Sequence, residues 1–189
     1  MAVDVAVARR LFTREEYRRM GDVGILKPSD RVELIRGEIV EMSPIGRRHY
    51  AFVDNLARLL ILQLGDRALV SVQGPIALAD DSEPEPDVAV YRRRAVPYKD
   101  ADRRAEDALL LIEVAETSLA YDRSTKLRLY AAAGIPEYWV VDCRVESVEV
   151  HRMPAADDYR AVRSVLGADA TVTLQAFPDV TLALAEIFA

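Results

Sequence analysis

Apolar residues recur along this chain at two spacings, one typical of helices and the other typical of strands. Helical spacing over 48–64 and over 119–133 predicts two helices, which end at Gly65 and Gly134. A capping box from Thr13 to Glu16 predicts a shorter N-terminal helix, and residues 182–188 predict a final one. Alternating or wholly apolar runs predict strands at 32–35, 38–42, 69–72, 76–78, 86–91, 109–115, 138–141, 145–150, 159–165 and 171–174.

The order of these elements predicts the fold class. The N-terminal helix is followed by a hairpin around Arg36-Gly37, and 69–72 is expected to pair with 76–78 across Gly74-Pro75. Helices and strands then mix along the chain, which favours an α/β (mixed α+β) fold with a central mixed β-sheet flanked by helices on both faces. A chain of 189 residues is long enough to bury one core, so we expect a single domain over 1–189.

Composition and charge exclude some functions. The chain is 51% apolar and 30% charged, as in soluble globular proteins, and no apolar run approaches the roughly 20 residues of a transmembrane helix. The net charge of −6 argues against a general nucleic-acid-binding protein, since Lys and Arg contact phosphates, but an acidic metal site also adds negative charge. A single cysteine, Cys143, excludes an intramolecular disulfide and a cysteine-rich zinc site, so a reducing cytoplasm is expected.

Three consecutive arginines, Arg92, Arg93 and Arg94, follow the strand predicted at 86–91. They are the best candidates for contacts with the phosphates of a nucleic acid, because guanidinium groups bind phosphate oxygens. A short basic run of this kind is more often an ordinary solvated loop, and that interpretation stays open.

Two acidic residues stand at the ends of predicted strands. Glu113 follows four consecutive aliphatic residues, which predicts a strand that is buried on both faces. Asp87 stands at the start of another strand. If these strands are antiparallel neighbours, the two carboxylates meet at one end of the sheet, where hard oxygen donors suit Mg²⁺ or Mn²⁺. Alternatively, Glu113 is a structural carboxylate that accepts hydrogen bonds from backbone N–H groups.

Lys126 lies on the helix predicted after the Glu113 strand. Its ammonium can orient an attacking water or offset negative charge that develops on a phosphate. Asp122 and Tyr130 stand four residues before and after Lys126, on the same face of that helix. The Asp122–Lys126 spacing is also that of an ordinary surface ion pair, which is the interpretation that spacing alone favours for Asp122.

Three further residues are accessory candidates. His49 begins the helix predicted over 48–64, where it either faces a cleft or caps the helix. Glu33 and Glu38 flank the predicted hairpin, and they either supply a further acid to the site or lie on a solvated edge. The sequence contains no Ser-His-Asp arrangement with supporting glycines and no Gly-rich phosphate loop.

Together these residues resemble the Uma2 family, also known as DUF820, of restriction-endonuclease-like proteins. The resemblance covers most of the chain, from about Phe12 to Phe188. It is carried by Glu33-Leu34-Ile35-Arg36-Gly37-Glu38, Met42-Ser43-Pro44 with His49, Pro86-Asp87-Val88, Glu113-Val114, Asp122, Lys126, Tyr130 and Gly134-Ile135-Pro136-Glu137-Tyr138-Trp139-Val140-Val141-Asp142. Each piece alone is weak, but in this order and spacing they are specific.

The resemblance implies a branch of the PD-(D/E)XK nuclease superfamily, whose core is a mixed sheet flanked by helices. Asp87 then matches the aspartate of the motif and Glu113 the glutamate. Ala115 occupies the position of the usual lysine, so the resemblance nominates Lys126 on the next helix in its place. The family commonly has a Ser-Pro step soon after Glu-Val, whereas this chain has Glu116, an extra carboxylate that either adds a ligand or faces solvent.

The leading hypothesis is therefore a Mg²⁺-dependent endonuclease acting on DNA. Asp87 and Glu113 would hold the metal, Lys126 would support the attacking water, and Glu33 or Glu38 would be the accessory acid. A small enzyme that cuts both strands of duplex DNA is expected to act as a homodimer, with one site per strand. Two alternatives stay open: a non-catalytic module that keeps the nuclease fold and binds a partner, and hydrolysis of another phosphoester at the same metal site.

Overall fold

A six-stranded mixed β-sheet forms the centre of the protein, in a computed structural model that describes residues 8–27, 29–95 and 97–189. Its strand order is β3-β4-β5-β6-β7-β8. β5 and β6 are parallel and the other neighbours are antiparallel, so the predicted mixed sheet is confirmed. The bounds are β3 Ala68–Val72, β4 Val88–Arg92, β5 Ala108–Ala115, β6 Glu137–Asp142, β7 Ser147–Ala155 and β8 Asp158–Leu166.

Helices cover both faces of this sheet, as predicted. The helices are α1 Arg14–Asp22, α2 Arg47–Leu64, α3 Leu119–Tyr121, a π-helical turn at Asp122–Lys126, α4 Leu127–Ala132 and α5 Leu184–Ile187. Side chains of a strand alternate between faces. Ile112 and Leu56 of α2 therefore belong to the core on one face, whereas Leu111 and Leu127 of α4 belong to the core on the other. No helix within the described ranges is long and apolar enough to cross a membrane.

The predicted N-terminal helix and hairpin are also present. Thr13 and Glu16 form the reciprocal capping box that begins α1. The hairpin consists of β1 (Val32–Ile35) and β2 (Glu38–Glu41), with Arg36 and Gly37 at positive φ in its two-residue turn. The backbone N–H of Glu83 donates to the Leu34 carbonyl, which attaches the hairpin beside the segment that enters β4.

One predicted element is wrong and another is only partly confirmed. Residues 76–78 form no strand, because their backbone N–H groups donate to the carbonyls of Pro84, Arg103 and Ser82 instead of to β3. The start of the predicted terminal helix is instead a strand, β10 (Thr181–Ala183), which pairs with β9 (Thr171–Thr173). The β-branched Thr173 and Thr181 face each other there, with their hydroxyl oxygens 2.9 Å apart, and this cross-strand contact outweighs the helical pattern.

Candidate active site

Asp87 and Glu113 meet where β4 begins and β5 ends. These strands are antiparallel and Val88 is opposite Ile112, so the next residue pair in this register is Asp87 and Glu113. The backbone N–H of Val114 donates to Asp87 Oδ2 at 2.8 Å. Both acids line one cavity of about 380 Å³. The alternative interpretation of Glu113 was a structural carboxylate that accepts hydrogen bonds from backbone N–H groups. The structure shows such a hydrogen bond for Asp87.

Lys126 joins Glu113 to a carboxylate from the hairpin. Its Nζ lies 2.9 Å from Glu113 Oε1 and 3.0 Å from Glu33 Oε2. All three side chains are at least nine-tenths buried, and all three line the same cavity as Asp87. Glu33 also accepts from the backbone N–H of Glu85 at 3.2 Å. The structure therefore brings a hairpin, two strands and a helical segment together around one lysine.

A π-helical turn precedes α4 and carries Lys126 towards the sheet. The helix predicted over 119–133 contains this turn at Asp122–Lys126, where the chain makes i→i+5 hydrogen bonds. Lys126 and Tyr130 both donate to Glu113 Oε1, the tyrosine hydroxyl at 2.6 Å. Asp122 instead accepts from the Ser118 hydroxyl at 2.6 Å. Because Asp122 and Lys126 are both buried, the interpretation of this pair as a surface ion pair is wrong.

The two carboxylates beside Lys126 share a single positive charge. Burial raises the pKa of Glu113 well above its usual range, and the Lys126 ammonium offsets only part of that effect. Burial would lower the pKa of Lys126, but the charges of Glu113 and Glu33 raise it overall. Lys126 therefore stays charged, and the raised pKa of Glu113 means that this glutamate takes up a proton more readily than a glutamate in water does.

His49 contacts both Asp87 and Val114. Its Nδ1 lies 2.8 Å from the Val114 carbonyl oxygen, and its Nε2 lies 3.0 Å from Asp87 Oδ1. Burial would lower the pKa of His49, but the hydrogen bond and charge of Asp87 raise it overall. An imidazolium can donate from Nδ1 to the Val114 carbonyl and place its positive charge beside the Asp87 carboxylate. His49 thus faces the cleft, and Gly46 occupies the N-cap position of α2.

Comparisons with known proteins agree with this fold. The Uma2 family, described as "Putative restriction endonuclease", matches residues 14–185. The chain belongs to the Uma2 family. A curated relative, "Uncharacterized protein sll1609" from Synechocystis sp. (strain ATCC 27184 / PCC 6803 / Kazusa), is 25% identical over 173 residues, 89% of this chain and 95% of that protein.

A solved structure shares the fold of this Uma2 protein. It is the crystal structure of "a putative nuclease belonging to DUF820" from Anabaena variabilis ATCC 29413. The TM-score is 0.74 with 18% sequence identity, and the match covers 94% of this chain and 97% of the other. The predicted restriction-endonuclease-like architecture, a mixed sheet between helices, is confirmed by this match.

Some predicted site residues of this Uma2 protein lie outside the cavity. Glu38 is exposed and pairs with Arg9 at 2.6 Å. The three arginines lie at the end of β4 opposite to Asp87, about 13 Å or more along the strand. Arg93 pairs with Asp66 at 2.9 Å and Arg94 pairs with Asp107 at 3.0 Å. Contact between these arginines and a phosphate bound at Asp87 is therefore unsupported by the geometry.

Sequence reasoning missed Glu85, which lines the cavity with Asp87. Burial raises the pKa of Glu85, and the neighbouring Glu33 charge adds to this effect. The available signal was its place between Pro84 and Pro86, because prolines on both sides restrict the backbone. Glu116 also lines the cavity, with its carboxylate so close to the Gly46 Cα that an added Cβ there would overlap it.

The donors around this cavity are chemically suited to a divalent metal ion. Asp87 and Glu113 offer carboxylate oxygens, which are the ligands that Mg²⁺ prefers, and Mg²⁺ keeps several waters or substrate oxygens in its shell. Within 8–27, 29–95 and 97–189, no three acidic, histidine or cysteine side chains are close enough together to hold a metal. The fit is therefore to an ion that takes two protein carboxylates and draws its remaining ligands from water and substrate.

Replacing Asp122 by asparagine should stabilise the protein, more so at about pH 8 than at about pH 5. Burial raises the pKa of Asp122 to about 6, although Lys126 and the Ser118 hydroxyl oppose that shift. The folded protein binds this proton more tightly than the unfolded chain does, so the cost of the ionised carboxylate is fully present above pH 6 and declines below it.

Urea unfolding at both pH values measures this effect. We expect a gain of about 2–3 kcal/mol at the higher pH and about 1–2 kcal/mol at the lower one. Asp54→Asn is the matched control, because Asp54 is exposed on α2, and it should change little at either pH. Equal gains for Asp122→Asn at both pH values would show that its charge is not the cause.

Proposed function

We propose that this Uma2 protein hydrolyses phosphodiester bonds in DNA with the help of a divalent cation, Mg²⁺ or Mn²⁺. One observation carries the proposal. Asp87, Glu113 and Lys126 come from three different elements, and all line one cavity in which the lysine Nζ lies 2.9 Å from the glutamate. Two hard oxygen donors beside a buried ammonium are the groups that metal-assisted phosphodiester hydrolysis requires. The family description and the fold of the Anabaena protein support the same reaction class.

In this proposal Asp87 and Glu113 hold the cation at the end of β4 and β5. When bound, such an ion polarises the scissile phosphate and lowers the pKa of a coordinated water. The Val114 N–H and His49 fix the orientation of Asp87 from two sides. The Tyr130 hydroxyl fixes one oxygen of Glu113 in the same way. His49 and Tyr130 are thus positioning residues for the two acids.

Lys126 contributes a fixed positive charge. Its contacts with Glu113 and Glu33 hold the ammonium at the wall of the cavity, where burial strengthens its field. There it can orient the attacking water and offset the negative charge that builds up on the phosphate oxygens in the transition state. Glu33 is the accessory acid in this scheme, because it keeps Lys126 charged and in place.

A homodimer is part of the proposal for a duplex substrate. Cleavage of both strands by one small domain requires a second site, and a two-fold symmetric pair supplies it. Sedimentation velocity of the protein with and without duplex DNA measures the association. A species of monomer mass under both conditions would restrict the proposal to cleavage of one strand at a time.

Titration of the metal-free protein with Mn²⁺ tests the metal site. Asp87→Asn keeps the side-chain oxygen that accepts from Val114 but removes the negative charge. We expect at least about a 10-fold loss of Mn²⁺ affinity in this variant by calorimetry. The control is Glu41→Gln, which removes an exposed carboxylate from the same cavity. Equal Mn²⁺ binding by wild type and Asp87→Asn would mean that the metal-site assignment is wrong.

A non-catalytic binding module is the second candidate, and one observation favours it. Glu113 Oε1 already accepts hydrogen bonds from Lys126 and Tyr130, so this oxygen is occupied by protein groups. A wild-type protein that neither binds Mn²⁺ nor cuts single-stranded or duplex DNA in its presence would favour this candidate over the enzyme.

A further inference from the structure

A second cavity adjoins the proposed active site. Its volume is about 550 Å³, and it shares Arg31, Met42, Ile45, Glu85 and Asp87 with the wall of the first cavity. The two spaces are therefore adjacent, with Asp87 in the wall of both, and together we call them the groove. A polymer with its reacting bond at the two acids would place its neighbouring units in the second cavity on that side.

The charges along the groove change from negative to positive. The first cavity contains Glu33, Glu113 and Asp122, whereas the second adds the side chain of Lys27, and Arg31 lies in the wall that the two cavities share. Both cations are exposed. Neither takes part in an ion pair with another described residue, and Arg31 Nη2 donates to Met42 Sδ at 3.8 Å. Arg18 also lines this space, but Glu83 and Asp102 hold its guanidinium. Free cations spaced along a groove are suited to the phosphates of a polyanion.

An aromatic ring completes the second cavity. Tyr50, in the first turns of α2, is 52% exposed and lines this space beside the apolar side chains of Met42 and Ile45. The Tyr17 ring is also present, but its hydroxyl donates to the Val32 carbonyl at 2.7 Å and fixes it to the hairpin. An exposed ring next to phosphate-binding cations is the arrangement that binds unpaired bases by stacking.

We propose that this second cavity binds unpaired nucleotides next to the scissile phosphate, so that the substrate is DNA with a single-stranded stretch at the point of cleavage. Tyr50 stacks on a base, and Lys27 and Arg31 contact the flanking phosphates. A duplex fits less well, because it needs cations spread over a wide surface, whereas Lys27 and Arg31 both lie at this one cavity. This inference rests on the proposed function only in taking DNA as the substrate of the adjoining site.

Fluorescence anisotropy tests the inference without requiring cleavage. The probes are a fluorescein-labelled oligothymidylate of about 15 nucleotides and a duplex of the same length, with the metal-free protein and EDTA at low salt. We expect the single strand to bind more tightly than the duplex. Tyr50→Ala should weaken single-strand binding by about 5- to 100-fold, and Tyr50→Phe, which keeps the ring, should restore it. The double variant Lys27→Gln/Arg31→Gln should also reduce the slope of log affinity against log salt by about 1.4.

The matched control for charge is Arg47→Gln, since Arg47 is exposed in the first turn of α2 and lines neither cavity. Tighter binding of the duplex, or an equal loss of affinity in Arg47→Gln and the double variant, would overturn the inference. So would unchanged single-strand binding by Tyr50→Ala.

If the protein cuts DNA with Mn²⁺ but these variants bind normally, the inference fails and the proposed function stands. If single-strand binding depends on Tyr50 but the protein cuts no DNA, the inference stands and the proposed function fails.

Discussion

Replacing Glu113 by glutamine should lower the rate of DNA cleavage by a factor of about 10³ or more, because the metal-assisted step loses several kcal/mol of transition-state stabilisation. Glutamine has nearly the same shape and keeps an oxygen to accept from Lys126 and Tyr130. It removes a charge that burial disfavours, as the raised pKa of Glu113 indicates. The variant should therefore be as stable as wild type, or more stable, while its activity is lost.

The measurement is a time course of oligonucleotide cleavage with Mn²⁺, alongside urea unfolding of the same preparations. Glu41→Gln is the control, since Glu41 lines the same cavity from an exposed position and its loss should change the rate less than about 3-fold. Cleavage by Glu113→Gln at the wild-type rate would contradict the role of Glu113. A large loss of stability would show instead that Glu113 is needed for folding.

The part of the site formed by β4 and β5 was predictable from the sequence, because local patterns determine it. The apolar run before Glu113 indicated a buried strand, and the short run after Asp87 indicated its neighbour. Once antiparallel pairing was assumed, the two acids had to meet at one end of the sheet. The register with Val88 opposite Ile112 gives this geometry. What stays a prediction is the chemical role of the two acids.

The partners of Lys126 were not predictable in the same way. The i,i+4 spacing suggested Asp122 as its partner, but that rule assumes a regular helix. The π-helical turn at Asp122–Lys126 breaks the regular spacing, and Lys126 contacts Glu113 and Glu33 instead. Glu33 is 93 residues away along the chain from Lys126, a separation over which local sequence patterns carry no information. Tertiary contacts decide such pairs.

The error at residues 76–78 has a related cause. A Gly-Pro step between two short apolar runs is a common turn signal, so a hairpin with 69–72 was the simplest expectation. The structure instead places β4 beside β3, and the Gln73 N–H donates to the Asp87 carbonyl oxygen at 3.0 Å just beyond that pairing. This long-range pairing also positions Asp87. The β3–β4 pairing, which replaces the hairpin predicted between 69–72 and 76–78, therefore also helps to form the candidate site.

The burial of charge in this site links stability to the proposed chemistry. Glu33, Glu113 and Lys126 are each no more than 6% exposed. Buried ion pairs contribute little net stability, but removing one partner leaves an uncompensated buried charge. A cluster with two carboxylates and one ammonium is therefore held together by the lysine. The same lysine is the group to which we assign support of the attacking water.

Replacing Lys126 by methionine should consequently destabilise the fold by about 3–5 kcal/mol, because Glu33 and Glu113 lose the cation that they share. Methionine keeps most of the apolar stem of lysine, so the loss reports the charge more than the packing. Urea unfolding at neutral pH measures the change. Lys99→Met is the matched control: Lys99 pairs with Asp100 in an exposed position and its replacement should change stability by less than about 1 kcal/mol.

A second variant separates the structural role of Lys126 from the catalytic one. Adding Glu33→Gln to Lys126→Met removes one of the two unpaired carboxylates. We therefore expect the free energy of unfolding of the double variant to exceed, by more than about 1 kcal/mol, the value obtained by adding the effects of the two single variants. Purely additive losses would mean that Glu33 and Lys126 do not interact as the 3.0 Å distance indicates. The recovered, folded double variant should still fail to cut DNA, because it has no ammonium beside the scissile phosphate. If it cuts DNA at the wild-type rate, Lys126 acts in folding alone.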